Sequence, residues 1–160
     1  PQTRRYLADY HRYARLSSLL LLDIDNFKRI NDEMGHVEGD RVLKAMVALI
    51  TSRIRGADML FRLGGEEFVV LLSEVGAQTA RKIADELRSK IASQEVIPDR
   101  RVTVSIGICD VTAVDSAEDW LLRVDRAMYE AKRKGRDQVY IEEPSPRDPT
   151  NVEGTIPMWR

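Results

Sequence analysis

The 160-residue sequence has almost none of the chemistry that marks secreted or membrane-embedded proteins. It holds one cysteine, Cys109, so it offers neither a disulfide between two of its own residues nor a cysteine cluster for a metal. That usage favours a reducing compartment, and we expect a cytoplasmic location. No apolar run approaches the roughly 20 residues of a membrane span, and no secretory signal is recognisable. A membrane tether, if the natural protein has one, is therefore expected in upstream parts outside this sequence.

An excess of charge of one sign is also lacking. With 25 basic and 26 acidic residues, the net charge is −1. There is thus no basic surplus for a nucleic-acid duplex or an anionic membrane, and we expect neither as a direct partner. The hydrophobic share of 43% and the charged share of 32% are ordinary for a globular protein of one domain.

Prolines and apolar periodicity predict how the chain is organised. Four of the six prolines follow Glu143 without a repeat, so we predict a domain over residues 1–143 and a proline-rich tail over 144–160. Within the domain, apolar residues recur either at helical spacing or in runs typical of strands. The predicted elements are a helix over 2–16, a buried strand over 17–22, helices over 27–34 and 42–54, a hairpin over 59–72, a helix over 80–91, a half-buried strand over 102–108, a helix from Ser116 to Gly135, and a strand over 139–141.

This order of elements predicts an α+β fold of the ferredoxin-like, or split βαβ, type, with helices flanking an antiparallel-centred sheet. In that topology the third strand lies between the first two and runs antiparallel to both. The end of the first strand then lies beside the hairpin turn. Asp23 and Asp25 are therefore expected next to Glu66 and Glu67, although some forty positions separate them in sequence.

The hairpin turn itself reads Gly64-Gly65-Glu66-Glu67. The glycines suit backbone angles that other residues avoid. Two adjacent carboxylates repel each other unless a cation lies between them, and a hard divalent metal carrying phosphates fits that need. Taken alone, the same four residues are also compatible with an ordinary exposed turn.

Several short motifs occur around this turn in a fixed order. R-L-G-G-E-E-F at 62–68 resembles the signature of the GGDEF domain of diguanylate cyclases, in its GGEEF form. The resemblance extends through D-I-D-N-F-K at 23–28, I-N-D at 30–32 and T-V-S-I-G at 103–107 to A-K at 131–132 and G-R at 135–136. It covers roughly residues 4 to 141. It implies the nucleotidyl-cyclase palm form of the fold and the condensation of two GTP into cyclic di-GMP, with release of pyrophosphate, by two facing domains.

The resemblance implies a metal site and a catalytic group. Asp23, the Ile24 carbonyl and Glu66 would bind Mg²⁺, with Mn²⁺ as the alternative ion. Glu66 or Glu67 would help to deprotonate the attacking 3′-hydroxyl, and the sequence leaves open which. Lys28 would offset charge that develops on the phosphates. The plainer alternatives are that Asp23 caps a helix and that Lys28 is an ordinary exposed lysine.

The substrate-binding residues implied by the resemblance fall into two groups. The backbone N–H groups of Asn26 and Phe27 begin a helix and would bind phosphate. Lys132 and Arg136 would contact the triphosphate, although without the family they are simply cations near a helix C-terminus.

Asn31 and Asp40 are the implied guanine-reading residues. A carboxylate at position 40 can accept from the N1 and N2 donors of guanine, an edge that adenine does not offer. The alternative for Asp40 is an acid that complements the dipole of its helix.

A separate product-binding site is suggested by Arg55-Gly56-Ala57-Asp58, which resembles the RxxD motif through which many cyclases bind cyclic di-GMP and are inhibited. Arginine can bind a phosphate in a forked geometry, and the aspartate can accept from guanine. Glu86 stands where product-inhibited members often supply another arginine, with Arg88 close by. We therefore expect inhibition weaker than is usual in the family.

The amino end departs from the family pattern. The usual D-x-L-T-G-L-x-N-R-R is reduced to Arg4-Arg5 and the residue or two before them. We interpret the chain as part of a longer protein with an upstream sensor or dimerising module, and we expect a mostly monomeric fragment of low turnover. The alternative function is a catalytically weak GGDEF module that binds GTP or cyclic di-GMP as a sensor.

Overall fold

The structure, a computed structural model, describes residues 15–142 together with Arg4 and Ala8. The described part contains five strands and four helices, besides a short 3-10 turn. The strands are β1 (Ser17–Ile24), β2 (Met59–Gly64), β3 (Glu67–Ser73), β4 (Val104–Asp110) and β5 (Val139–Ile141). The helices are α1 (Phe27–Met34), α2 (His36–Arg53), α3 (Ala77–Ser93) and α4 (Ala117–Arg133).

The predicted elements inside the described range are all present. The predicted helix over 2–16 lies outside that range except for Arg4 and Ala8, which are helical, and so does the predicted tail over 144–160. Among the described residues, none of the helices combines the length with the apolar composition that crossing a bilayer requires.

The sheet has the strand order β2-β3-β1-β4-β5. Strand β3 lies between β1 and β2 and is antiparallel to both, as predicted. Strand β4 flanks β1 on its other side, also antiparallel, and β5 extends the sheet parallel to β4. The α+β, ferredoxin-like arrangement is thus confirmed, with β5 as an additional edge strand.

The sheet is covered on both faces, which explains the continuous apolar run of β1. On one face Leu20 and Leu22 belong to a core cluster with residues of α2 and α3. On the other face Leu19 and Leu21 pack in a second cluster with Trp120 of α4. All four leucines are at most 2% exposed, and each buried leucine side chain contributes about 2 kcal/mol. Helices therefore hold strand β1 from both faces of the sheet, and this packing also fixes the position of Asp23 near its carboxyl end.

Strand β4 differs from the half-buried strand that its alternating sequence predicts. Every residue from Val104 to Cys109 is buried. The cause is Gly107, because a Cβ at that position would lie 2.3 Å from the Met128 nitrogen and 2.5 Å from the Val124 oxygen. Helix α4 can therefore lie directly against the strand, and it covers the face that the sequence pattern assigns to solvent.

Candidate active site

The acidic residues predicted to converge do so at the carboxyl end of β1. Asp23 is paired with Glu67 in the register between β1 and β3. The Ile24 N–H donates to the Glu66 carbonyl at 3.3 Å. The strand pairing therefore brings Asp23 beside both hairpin glutamates, although no local sequence signal links them.

Asp23 is a buried carboxylate whose charge is only partly compensated. The residue is 3% exposed. Its Oδ1 lies 2.8 Å from the Lys132 ammonium, yet the two groups are not aligned for a hydrogen bond. Burial raises the pKa of Asp23 to about 6, Lys132 opposes that rise, and the negative charges of Glu66 and Glu67 add to it. Lys132 therefore does not fully offset the cost of burying the negative charge of Asp23.

The oxygen donors present here fit a hard divalent cation. Asp23 and Glu66 supply carboxylates, and the carbonyl of Ile24, the last residue of β1, adds a third oxygen. The buried Oδ1 of Asp23 forms an ion pair with Lys132 but no aligned hydrogen bond. Within residues 15–142, no group of three or more acidic, histidine or cysteine side chains could hold an ion unaided. Mg²⁺ commonly accepts such a site, because it binds through one or two carboxylates and completes its shell with water and substrate phosphates.

Asp25 does not join this cluster, and the prediction that it lies next to Glu66 and Glu67 is wrong. Its carboxylate accepts hydrogen bonds from Thr103 Oγ1 at 2.7 Å, Ser105 Oγ at 2.6 Å and the Asp137 N–H at 3.0 Å. The reason lies in the backbone. The Asp25 N–H donates to the Thr103 carbonyl at 2.9 Å, which holds this residue on the β4 side of β1, away from the hairpin.

An open cavity of about 560 Å³ lies beside Asp23. Seven predicted site residues line it: Ile24, Asn26, Phe27, Lys28, Glu66, Lys132 and Arg136. The lining also includes Arg29, Asp32 and Glu33, none of which was predicted to be a site residue. The usable signal was helical spacing, since 28, 29, 32 and 33 recur at three- and four-residue intervals on α1.

The side of the cavity formed by α1 suits an anion. Asn26 precedes the helix in a left-handed conformation, with φ of 56°, and its side chain does not cap the helix. The first turn of α1 carries no acidic residue. Its free N–H groups, together with Lys28, Lys132 and Arg136 in the lining, form a surface that favours phosphate.

The two predicted guanine readers lie together but outside the cavity lining. Asn31 is half-buried on α1, and its side chain lies against Gly39 so closely that a Cβ there would be 1.8 Å from Asn31 Oδ1. Asp40 is the next residue of α2 and is exposed. The structure therefore places both residues where α1, the helix that lines the cavity, meets α2.

The tip of the hairpin is held by a contact that the sequence analysis missed. Arg62 donates from Nε at 3.0 Å and from Nη2 at 2.6 Å to the Gly65 carbonyl. Gly64 and Gly65 have φ of 147° and 52°, as the predicted turn requires. This double hydrogen bond fixes the backbone directly before Glu66.

The RxxD turn lies at the opposite end of the sheet and is closed on itself. The Asp58 side chain is 2% exposed and accepts from the Arg55 N–H at 2.8 Å and the Ser73 N–H at 2.9 Å. The Arg55 guanidinium lies 3.4 Å from the same carboxylate and donates to the Ser73 carbonyl at 2.6 Å. The aspartate thus acts within the fold, whereas Arg55 is more than half exposed.

The two residues of α3 considered for this second site point to different neighbours. Glu86 pairs with Arg53 at 2.5 Å, near the end of α2 and the RxxD turn. Arg88 pairs with Asp85 and with Asp137, the latter at 3.0 Å. Arg88 is therefore engaged by Asp85 and Asp137 and does not replace the arginine missing at position 86.

Comparison with known proteins gives one consistent result. The family described as "Diguanylate cyclase, GGDEF domain" matches residues 2–138. Diguanylate cyclase DgcM of Escherichia coli is 43% identical over 122 residues, which are 76% of this chain and 30% of DgcM. The chain thus spans about a third of that relative's length.

Two solved structures share the fold. The active GGEEF domain of a diguanylate cyclase from Vibrio cholerae superposes with a TM-score of 0.85 at 32% identity, over 90% of this chain and 94% of that one. The GGDEF domain of DgcB from Caulobacter crescentus, solved in complex with c-di-GMP, gives 0.83 at 28% identity, over 88% and 86%.

Proposed function

Since the chain belongs to the GGDEF domain family of diguanylate cyclases, we propose that it condenses two GTP molecules into cyclic di-GMP and releases pyrophosphate. The observation that carries the proposal is the buried and only partly compensated Asp23 beside Glu66, next to a cavity whose lining includes Lys28, Arg29, Lys132 and Arg136. Burying the Asp23 charge is costly despite the ion pair with Lys132, and a divalent ion that carries a triphosphate would offset that cost further.

Asp23, the Ile24 carbonyl and Glu66 are the residues that would hold the metal, which we propose to be Mg²⁺, with Mn²⁺ as the alternative. When bound, the ion would neutralise charge on the phosphates during transfer. Asn26 and Phe27 would bind phosphate through backbone N–H groups, and Lys132 and Arg136 through their side chains.

In the reaction, the 3′-hydroxyl of one GTP attacks the α-phosphorus of the other, and the bond to the β-phosphate oxygen breaks. Glu66 or Glu67 would accept the hydroxyl proton, and Lys28 would stabilise charge on the reacting phosphate. Each domain offers one GTP site, so the reaction requires a second copy facing the first. Asn31 and Asp40 would select guanine through its N1 and N2 donors.

We also propose that residues 1–143 form the catalytic domain in the cytoplasm and that 144–160 form a tail outside it. Cyclic di-GMP would bind at Arg55 and Asp58 and inhibit. Asp58 already accepts from two backbone N–H groups, and Glu86 occupies the place of a second arginine, so binding should be weak. Titrating the chain with cyclic di-GMP tests this, and a dissociation constant below about 1 µM would contradict weak inhibition.

One observation favours a second function, that of a sensor which binds GTP or cyclic di-GMP without efficient turnover. The Lys132 ammonium lies on the carboxylate that would have to bind the metal. If this ion pair persisted when nucleotide is bound, the metal would be held weakly and turnover would be low.

The test is to incubate the chain with GTP and Mg²⁺ and to analyse the product, with Glu67→Ala as the control. We expect cyclic di-GMP from the unmodified chain and almost none from the variant. Product formed equally by both would mean a contaminating enzyme or a wrong assignment, and GTP binding without product would support the sensor.

Enzyme concentration supplies a second readout of the same assay. Because two copies must meet, the rate should rise more steeply than linearly with concentration and should increase on fusion to a dimerising segment. A strictly linear dependence would contradict the requirement for two facing domains.

A further inference from the structure

We propose that Asp25 is a positioning residue for substrate. In this proposal it fixes the turn Gly135–Asp137, which carries Arg136, to the strand end that carries Asp23, and so sets the distance between the two sides of the cavity. The inference rests on the proposed function, because it assigns the turn a role in holding the triphosphate.

The first observation is the saturation of the Asp25 carboxylate. The residue is 4% exposed. Oδ1 accepts from Ser105 Oγ, and Oδ2 accepts from both Thr103 Oγ1 and the Asp137 N–H. Two of the three donors come from the β4 side, and the third comes from the turn after α4, 112 residues away in the chain. One buried side chain therefore joins three separate segments.

The second observation is the backbone of that turn. Gly135, Arg136 and Asp137 all have positive φ, at 120°, 65° and 47°. A left-handed conformation is unfavourable for residues other than glycine, so two in succession persist only when neighbouring groups hold them. The Asp137 N–H donates to the Asp25 carboxylate at 3.0 Å, and this hydrogen bond helps to hold the turn in its left-handed conformation.

The other backbone hydrogen bonds donated by the turn run to the end of α4, where the Gly135 N–H donates to the Lys132 carbonyl at 3.2 Å. The Arg136 N–H donates to the Ala131 carbonyl at 3.1 Å, within the end of α4. The Asp137 carboxylate pairs with Arg88 at 3.0 Å and Arg101 at 3.3 Å. The bond to the Asp25 side chain ties this turn to the end of β1, directly before Asn26 and the phosphate-facing helix α1.

A merely structural role for Asp25 makes a different prediction from a positioning role. As a structural residue, it would lower stability when removed, and its effect on nucleotide binding would be independent of Arg136. As a positioning residue, it acts on binding through Arg136, so its effect should disappear once the Arg136 side chain is gone.

The experiment is a double-mutant cycle on the whole chain, with the affinity for a non-hydrolysable GTP analogue and Mg²⁺ as the readout. We expect Asp25→Ala to weaken binding about ten-fold, and the same change to cost less than about three-fold in Arg136→Ala. Asp25→Asn should restore most of the affinity, because its carbonyl can still accept from Asp137 and Thr103 while its amide donates to the Ser105 hydroxyl.

The matched control is Thr103→Val with Ser105→Ala. It removes two of the three hydrogen bonds of the same carboxylate but leaves the bond to the turn. It should lower the melting temperature, as Asp25→Ala does, yet weaken analogue binding less than about three-fold. Weakening equal to that of Asp25→Ala would show that packing at β4, and not the turn, is what matters.

Hydrogen exchange provides a readout that does not depend on any variant folding. The Asp137 amide of the unmodified protein should exchange slowly, since its acceptor is a buried carboxylate. Rapid exchange in the folded protein would overturn the inference.

The outcomes separate the inference from the proposed function. Absence of analogue binding by the unmodified chain would overturn both. Normal binding that Arg136→Ala weakens, combined with an Asp25→Ala effect of equal size in both backgrounds, would overturn the inference alone. Normal binding that Arg136→Ala leaves unchanged would also overturn it.

Discussion

Two buried carboxylates at opposite ends of the sheet, Asp58 and Asp23, differ in how their negative charges are compensated. The side chains of Asp58 and Asp23 are 2% and 5% exposed. Asp58 accepts from two backbone N–H groups and lies against Arg55. Asp23 Oδ1 lies 2.8 Å from the Lys132 ammonium without an aligned hydrogen bond, and burial, together with the charges of Glu66 and Glu67, raises the pKa of Asp23. Burial of charge is costly in both places, but backbone N–H groups offset that cost only at Asp58, while Asp23 depends on the Lys132 ammonium. Incomplete pairing, rather than burial, therefore distinguishes the candidate functional acid.

The largest expected effect is on catalysis. Asp23→Ala should lower the rate of cyclic di-GMP formation by about a thousand-fold, because a group that binds the charge-neutralising ion is lost. The assay is product formation at saturating GTP and Mg²⁺. Asp115→Ala, at an exposed aspartate away from the cavity lining, is the matched control and should behave as the unmodified chain. A loss of less than about five-fold at Asp23 would remove the basis of the comparison.

The next effect concerns pH. The pKa of Asp23 is raised from 3.8 to about 6, which corresponds to about 3 kcal/mol. The folded state therefore favours the protonated carboxyl, whose contribution to stability is present below about pH 4 and is lost as the pH rises through about 6. Without divalent ions, the free energy of unfolding of the unmodified chain should fall relative to that of Asp23→Asn over this range.

Urea denaturation at several pH values in a chelating buffer measures this difference. Added Mg²⁺ should reduce it, because a bound cation stabilises the ionised carboxylate. A difference that stays constant between about pH 4 and pH 7 would show that Asp23 is compensated after all.

The smallest expected effect is on stability at Asp58, where the ionised carboxylate stabilises the fold rather than destabilising it. Asp58→Ala should lower the free energy of unfolding by about 2 kcal/mol, because the N–H groups of Arg55 and Ser73 lose their acceptor. Arg55→Ala is the matched control. It keeps the carboxylate and removes an exposed partner, so it should cost less than about 1 kcal/mol. Equal costs for the two variants would mean that the ion pair, not the backbone bonds, stabilises the turn.

Most of the fold could be predicted from the sequence because its signals are local. The apolar run of β1, the glycines of the hairpin and the Ser116 cap, whose Oγ accepts from the Asp119 N–H at 3.0 Å, each fix one element. The topology then follows from a small set of allowed connections. The burial of β4 could not be predicted, since it depends on the fit of Gly107 against a helix distant in sequence.

The site could be predicted only in part, for a related reason. Strand pairing carries Asp23 to the hairpin, and that pairing follows from the topology. The direction of Asp25, two residues later, depends on donors that lie 78 to 112 residues away. The double contact of Arg62 with Gly65 likewise depends on turn geometry rather than on residue type. The partners of Asp25 are distant in sequence, and those of Arg62 depend on the conformation of the turn, so no local sequence pattern predicts either.

The most direct test of whether Asp23 binds a cation is a titration of the metal-free chain with Mn²⁺. Binding is measured as the loss of the paramagnetic signal of the free ion. The account predicts that the unmodified chain and Asp58→Asn bind Mn²⁺ alike, and that Asp23→Asn binds it at least about ten-fold more weakly. Equal Mn²⁺ affinity of Asp23→Asn and the unmodified chain would contradict the account.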